Sequence, residues 1–110
     1  MKIAITSKGN DSSSIVDSRF GRCSYFALYD TETKELDYIP NPNKELEEGA
    51  GMAAVNLIHE FGASKIVSGE FGFKIKNRLN EFNIQMIIMK KIVSVQDIVR
   101  LIDNSLKDDN

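Results

Sequence analysis

The chain changes rhythm near its middle, and that change constrains the fold more than any single residue does. In the first part the apolar residues fall in short runs. These are 2–6 (KIAIT), 24–30 (SYFALYD) and 35–39 (ELDYI), each bounded by polar turn residues. Such runs predict β-strands, and the short polar turn over 31–34 makes the second and third antiparallel. Pro40-Asn41-Pro42-Asn43 ends the third strand, because proline has no N–H to give to a ladder. From Ala50 onward, strands alternate with helical periods. Ala54, Leu57, Ile58 and Phe61 recur at helical spacing over 50–61, and Gly62 supplies the stop. Residues 65–68 (KIVS) read as a short buried strand, 71–82 as a helix with Ile75, Leu79 and Phe82 on one face, and 84–89 as a last strand. Ser94 and Asp97 form a variant capping box ahead of Val95, Ile98, Val99, Ile102 and Leu106, the clearest amphipathic stripe in the chain. Residues 107–110 read as a frayed polar tail.

The order is therefore β-β-β-α-β-α-β-α, and 110 residues are one domain's worth. Right-handed crossovers after the third strand place strands four and five parallel to strand one. The simplest assembly is a single α/β domain over residues 1–110. Its sheet is mixed and five-stranded in the order 3-2-1-4-5, with strand two antiparallel and helices on both faces. Where that order reverses, between strands one and four, loops splay apart and leave a crevice of the kind open α/β sheets use for ligands. Three glycine-bearing segments converge there: 7–22, 48–52 and 69–73. The polar stretch 7–18, rich in Ser, Gly, Asn and Asp, reads as a flexible loop.

Composition removes several function classes. The formal charge of -2 gives no overall basic field, so nucleic acid is not an expected partner. Apolar runs such as 86–89 are far below the ~20 residues of a membrane helix, and the N-terminus turns polar after Ile5, too early for a signal peptide. A single cysteine forms no intramolecular disulfide, which fits a reducing cytoplasm, and the cytoplasm is the expected location.

Arg19-Phe20-Gly21-Arg22-Cys23 is the segment richest in chemistry. Arginines beside a thiol favour thiolate, which would make Cys23 a nucleophile or soft-metal ligand. Cysteine is also among the most buried residue types, so a small packed side chain explains it as well. A closed metal site needs several Cys, His or carboxylate ligands, and this chain has one cysteine and one histidine, His59, in mid-helix. A large preformed anionic ligand is different: positive charge from Arg19, Arg22 and Lys8 and backbone donors can hold it. Met86 and Met89, three apart in a strand, point to opposite faces and read as core rather than copper ligands. Two-metal nuclease chemistry needs acids on the central strands, and strand one has none.

The strand MKIAI, Phe20-Gly21-Arg22 leading into a strand, Asn41-Pro42 followed by Gly49-Ala50-Gly51 at a helix start, and the glycine turn at 68–72 resemble the dinitrogenase iron–molybdenum cofactor biosynthesis family, of NifX and NifB C-terminal type. The likeness runs over roughly residues 2–106. It implies a ribonuclease-H-like three-layer fold and a non-catalytic role in binding or carrying an anionic iron–sulfur or molybdenum–iron–sulfur cluster or its precursor, alongside metallocofactor-assembly proteins. The implied contact residues are Arg19, Phe20, Gly21, Arg22, Cys23, Gly49, Gly51, Met52, Gly69, Glu70 and Gly72, with Cys23 as the metal ligand. Family members often carry histidine where Arg19 and Glu47-Glu48 stand here. That departure favours a second expectation: a small-molecule or protein-interaction module of the same fold that has lost cluster binding.

Overall fold

A computed structural model describes residues 1–108. The strands are β1 (Lys2–Ser7), β2 (Tyr25–Asp30), β3 (Leu36–Pro40), β4 (Ala63–Ser68) and β5 (Gln85–Ile88), and the helices are α1 (Ala50–Glu60), α2 (Phe73–Glu81) and α3 (Val95–Asp108). The sheet runs β3-β2-β1-β4-β5. β2 pairs antiparallel with both β1 and β3, and β4 pairs parallel with β1 and β5, as the crossover argument requires.

Alternation along the strands sorts the core into two halves. Ala4, Phe26, Leu28 and Ile66 face one side, where α1 brings Ala54, Val55 and Ile58 and α2 brings Leu79. Ile3, Ile5, Ala27 and Val67 face the other, where α3 brings Val95 and Ile98. Met86 packs with the first set and Met89 with the second. Ser94 and Asp97 bond reciprocally at the start of α3, N–H to Oδ2 at 3.0 Å and N–H to Oγ at 3.1 Å. The Ser94 backbone N–H first, and then the Ser94 hydroxyl, hold the Asp97 carboxyl below its ordinary range.

Several boundaries move from their expected places, each for a packing reason. β4 starts two residues early, because Gly62 takes a left-handed turn (φ 82°) that brings the chain straight out of α1 into the sheet. α2 starts two residues late. Phe71 is buried against Phe20, so it lies below the helix rather than in it, and Gly72 is extended. Pro40 is the last residue of β3 rather than its stop, which an edge strand tolerates.

The expected flexible loop instead follows a defined path. Ser7 pairs with Val16, Ile15 pairs with Ser94, and the carbonyls of Ser12 and Ser14 accept the first N–H groups of α3 from Gln96 and Val95. Backbone partners, which composition does not reveal, decide this. Lys107 and Asp108 continue α3 rather than fraying, and the rest of the expected tail lies outside the described residues.

Leu79 is fully buried at the meeting of α1, α2 and the sheet. Leu79→Ala should cost about 2–5 kcal/mol, read as a lowered midpoint in urea unfolding followed by circular dichroism.

Candidate functional site

β1 and β4 lie side by side and their following segments part in opposite directions, so a groove opens above their C-terminal ends. It has a volume of about 540 Å³ and takes most of its lining from the three expected segments. Arg19, Phe20, Gly21 and Arg22 come from the β1–β2 connection, Gly49, Gly51 and Met52 from the start of α1, and Glu70 and Gly72 from the approach to α2.

The floor is built on Thr6, whose hydroxyl donates to the Asp17 carbonyl at 2.6 Å while the Asp17 N–H returns a bond to the Thr6 carbonyl at 3.0 Å. This buries the Asp17 carboxylate at 2% exposure. It accepts the Arg19 N–H at 2.9 Å and Nε and Nη2 at 3.3 Å each. A buried anion so placed holds the Arg19 guanidinium, whose side chain is 59% exposed, at the groove. Arg22 is used differently. Its Nη1 donates to the Lys44 carbonyl at 2.7 Å and to the Leu46 carbonyl, and its Nη2 to the Glu47 carbonyl at 3.4 Å. It lines the groove but acts as a strap on the β3–α1 connection.

Phe20 packs against Phe26 and Phe71, with ring centroids 5.6 and 5.7 Å away, and so anchors the segment from below. Beside it, Gly21 lies against the first turn of α1. A Cβ there would stand 2.7 Å from the Gly51 Cα and 2.8 Å from its N, so the two backbones touch. Gly49 has φ 77° at the N-cap of α1. Gly69 backs onto Ser18, outside the groove lining.

Cys23 is also outside the lining. It is completely buried, its thiol donates to the Phe20 carbonyl at 3.3 Å, and the Asn41 amide donates to the carbonyls of Gly21 and Cys23 at 3.1 and 3.0 Å. Burial, reinforced by the nearby Asp17 charge, pushes the thiol up to about 12. In this setting Cys23 is a protonated core residue rather than a thiolate. Lys8 stands apart from the groove, and His59 lies in the last turn of α1, stacked on Phe82 with centroids 3.9 Å apart. Among the described residues, no three His, Cys, Asp or Glu side chains are grouped to hold a metal ion.

The groove cations Arg19, Arg22 and Lys74 meet the carboxylates Glu47, Glu48 and Glu70, so side-chain charge alone gives no strong sign. Backbone polarity does. α1 and α2 both start at this groove, neither has a side-chain cap, and neither has an acidic residue in its first turn. α3, by contrast, spends its cap on Ser94 and carries Asp97 in its first turn. Two helix N-termini thus present N–H donors and positive dipole ends to one space. Lys74 and Ile75, which sequence reasoning missed, line it because α2 begins at Phe73; a glycine at 72, a residue type that suits a helix N-cap, was the available signal.

These features define an α/β domain with an open groove at a topological switch point. The sequence profile of the dinitrogenase iron-molybdenum cofactor family matches residues 1–105, and the chain belongs to that family. No curated protein matches the sequence. Among solved structures, the apo form of the orange protein from Desulfovibrio gigas is 28% identical, with TM-score 0.88 over 94% of this chain and 88% of that one. A NifB-like protein from Thermotoga is 23% identical, with TM-score 0.80 over 94% of this chain and 87% of its own, and shares the fold.

The Cys23 environment sets an alkaline limit on stability. The unfolded thiol ionises near its ordinary 9.0 and the folded one only near 12, so the unfolded chain binds fewer protons in that window and stability falls as pH rises through it. Native protein at pH 8 should resist Ellman's reagent until it unfolds. Cys23→Ala should show a shallower loss of urea midpoint between pH 9 and 11 than the parent; equal slopes would contradict the assignment.

Proposed function

We propose that the groove holds an anionic metal–sulfur cluster or its precursor, iron–sulfur or molybdenum–iron–sulfur, and that the chain is a carrier rather than a catalyst. The observation that carries this is the convergence of two uncapped helix N-termini and the Asp17-held Arg19 on one open groove, in a chain of this family. The donor set suits cargo held from outside: N–H groups at the starts of α1 and α2 bond to terminal sulfides or oxo groups, and Arg19 offsets charge. Because three carboxylates balance three cations in the lining, directed N–H donors rather than net charge set the affinity. An open groove suits cargo that is handed on, which makes metallocofactor-assembly proteins in the cytoplasm the expected donors and acceptors. No described helix is long and apolar enough to cross a membrane.

The balanced charges also favour a second reading, in which the groove takes a small neutral molecule or a protein segment. Anaerobic reconstitution with ferrous iron and sulfide, with and without molybdate, separates the two. The carrier reading expects a coloured protein that keeps stoichiometric metal through gel filtration, and an Arg19→Ala variant that retains it about tenfold less tightly. A colourless protein that takes up neither preparation would decide for the second.

A further inference from the structure

The two faces of the sheet are covered unequally. α1 and α2 share one face, whereas α3 alone crosses the other. Five strands at ~4.8 Å spacing span about 19 Å, and a helix with its side chains covers only about 10–12 Å. α3 therefore leaves a furrow along each flank.

On the β2–β3 flank the gap is bridged by polar groups: the Tyr29 hydroxyl donates to Asp103 at 2.7 Å, and Lys34 reaches the same carboxylate at 3.2 Å. The β4–β5 flank has a different lining. Ile3, Val67 and Ile87 form its floor and Met89 and Leu101 its walls, leaving about 200 Å³ of mainly apolar space. That is comparable with the roughly 150 Å³ apolar cavity that accepts benzene in an engineered protein core.

One charged side chain lines this space. Lys65 leaves β4 on the same face as Val67, is half-buried, and has no ion pair among the described residues. An ammonium on a long stem beside an apolar furrow matches a molecule with an apolar body and a single anionic end.

We propose that this furrow is a second binding site, for small amphipathic carboxylates of the medium-chain fatty acid class, with the carboxylate on Lys65 and the tail between α3 and β4–β5. It lies across the sheet from the groove above and stands independently of the function proposed there.

Octanoate and octanol share a tail and differ in charge, so they are the probes, each titrated into methyl-labelled protein below its micellar or solubility limit. Octanoate should give saturable shifts at the methyls of Val67, Ile87 and Leu101. Lys65→Gln should weaken octanoate about fivefold while leaving octanol unchanged. Leu101→Glu, at a position 54% exposed and therefore safe for folding, should abolish octanoate binding by repulsion. No saturable shift at these methyls would overturn the proposal. So would equal losses of octanoate and octanol in Lys65→Gln, or octanoate binding that survives Leu101→Glu.

Discussion

The groove exists because the segment after Asp17 is fastened into the core instead of arching over it. Phe20 sits between Phe26 and Phe71, Cys23 is sealed beneath, and Asn41 ties the carbonyls of Gly21 and Cys23 to the end of β3. Gly21 can then lie directly on Gly51, so the first turn of α1 is placed by backbone contact. A side chain at Gly21 would press on the α1 backbone and push the helix start away, whereas one at Gly51 would meet the Ile75 side chain of α2.

Charge in this region is spent mainly on construction. Arg22 donates to three carbonyls of the connection before α1, and Arg19 is oriented by a buried carboxylate. What remains for a ligand is largely main-chain polarity, since α1 and α2 reach the groove without side-chain caps while α3, remote from it, is fully capped. Helix ends left open at a shared space and closed elsewhere follow the division expected between a binding surface and a scaffold.

Much of the architecture was legible in the order of elements. Strand order, the lone antiparallel strand, the capping box at Ser94 and the opposed faces of Met86 and Met89 all follow from periodicity and crossover handedness. The groove-lining segments were legible too, because glycines and helix starts mark the switch point. The path of residues 8–16 was not, since its partners are backbone groups of Val93, Val95 and Gln96 far along the chain. Nor was the start of α2, where Phe71 continued a helical apolar pattern yet was drawn into the core by Phe20.

The segment Arg19-Phe20-Gly21-Arg22-Cys23 shows where the division falls. The sequence by itself determined that this segment stands at the switch point and which family it belongs to, because topology and motif are properties of order along the chain. Only the tertiary structure decided what each side chain does there: Arg19 turned to the groove by Asp17, Arg22 turned to the loop carbonyls, Cys23 buried and protonated. Side-chain direction, burial and hydrogen-bond partners depend on residues distant in sequence, and burial sets whether a thiol ionises and what a guanidinium is free to bind.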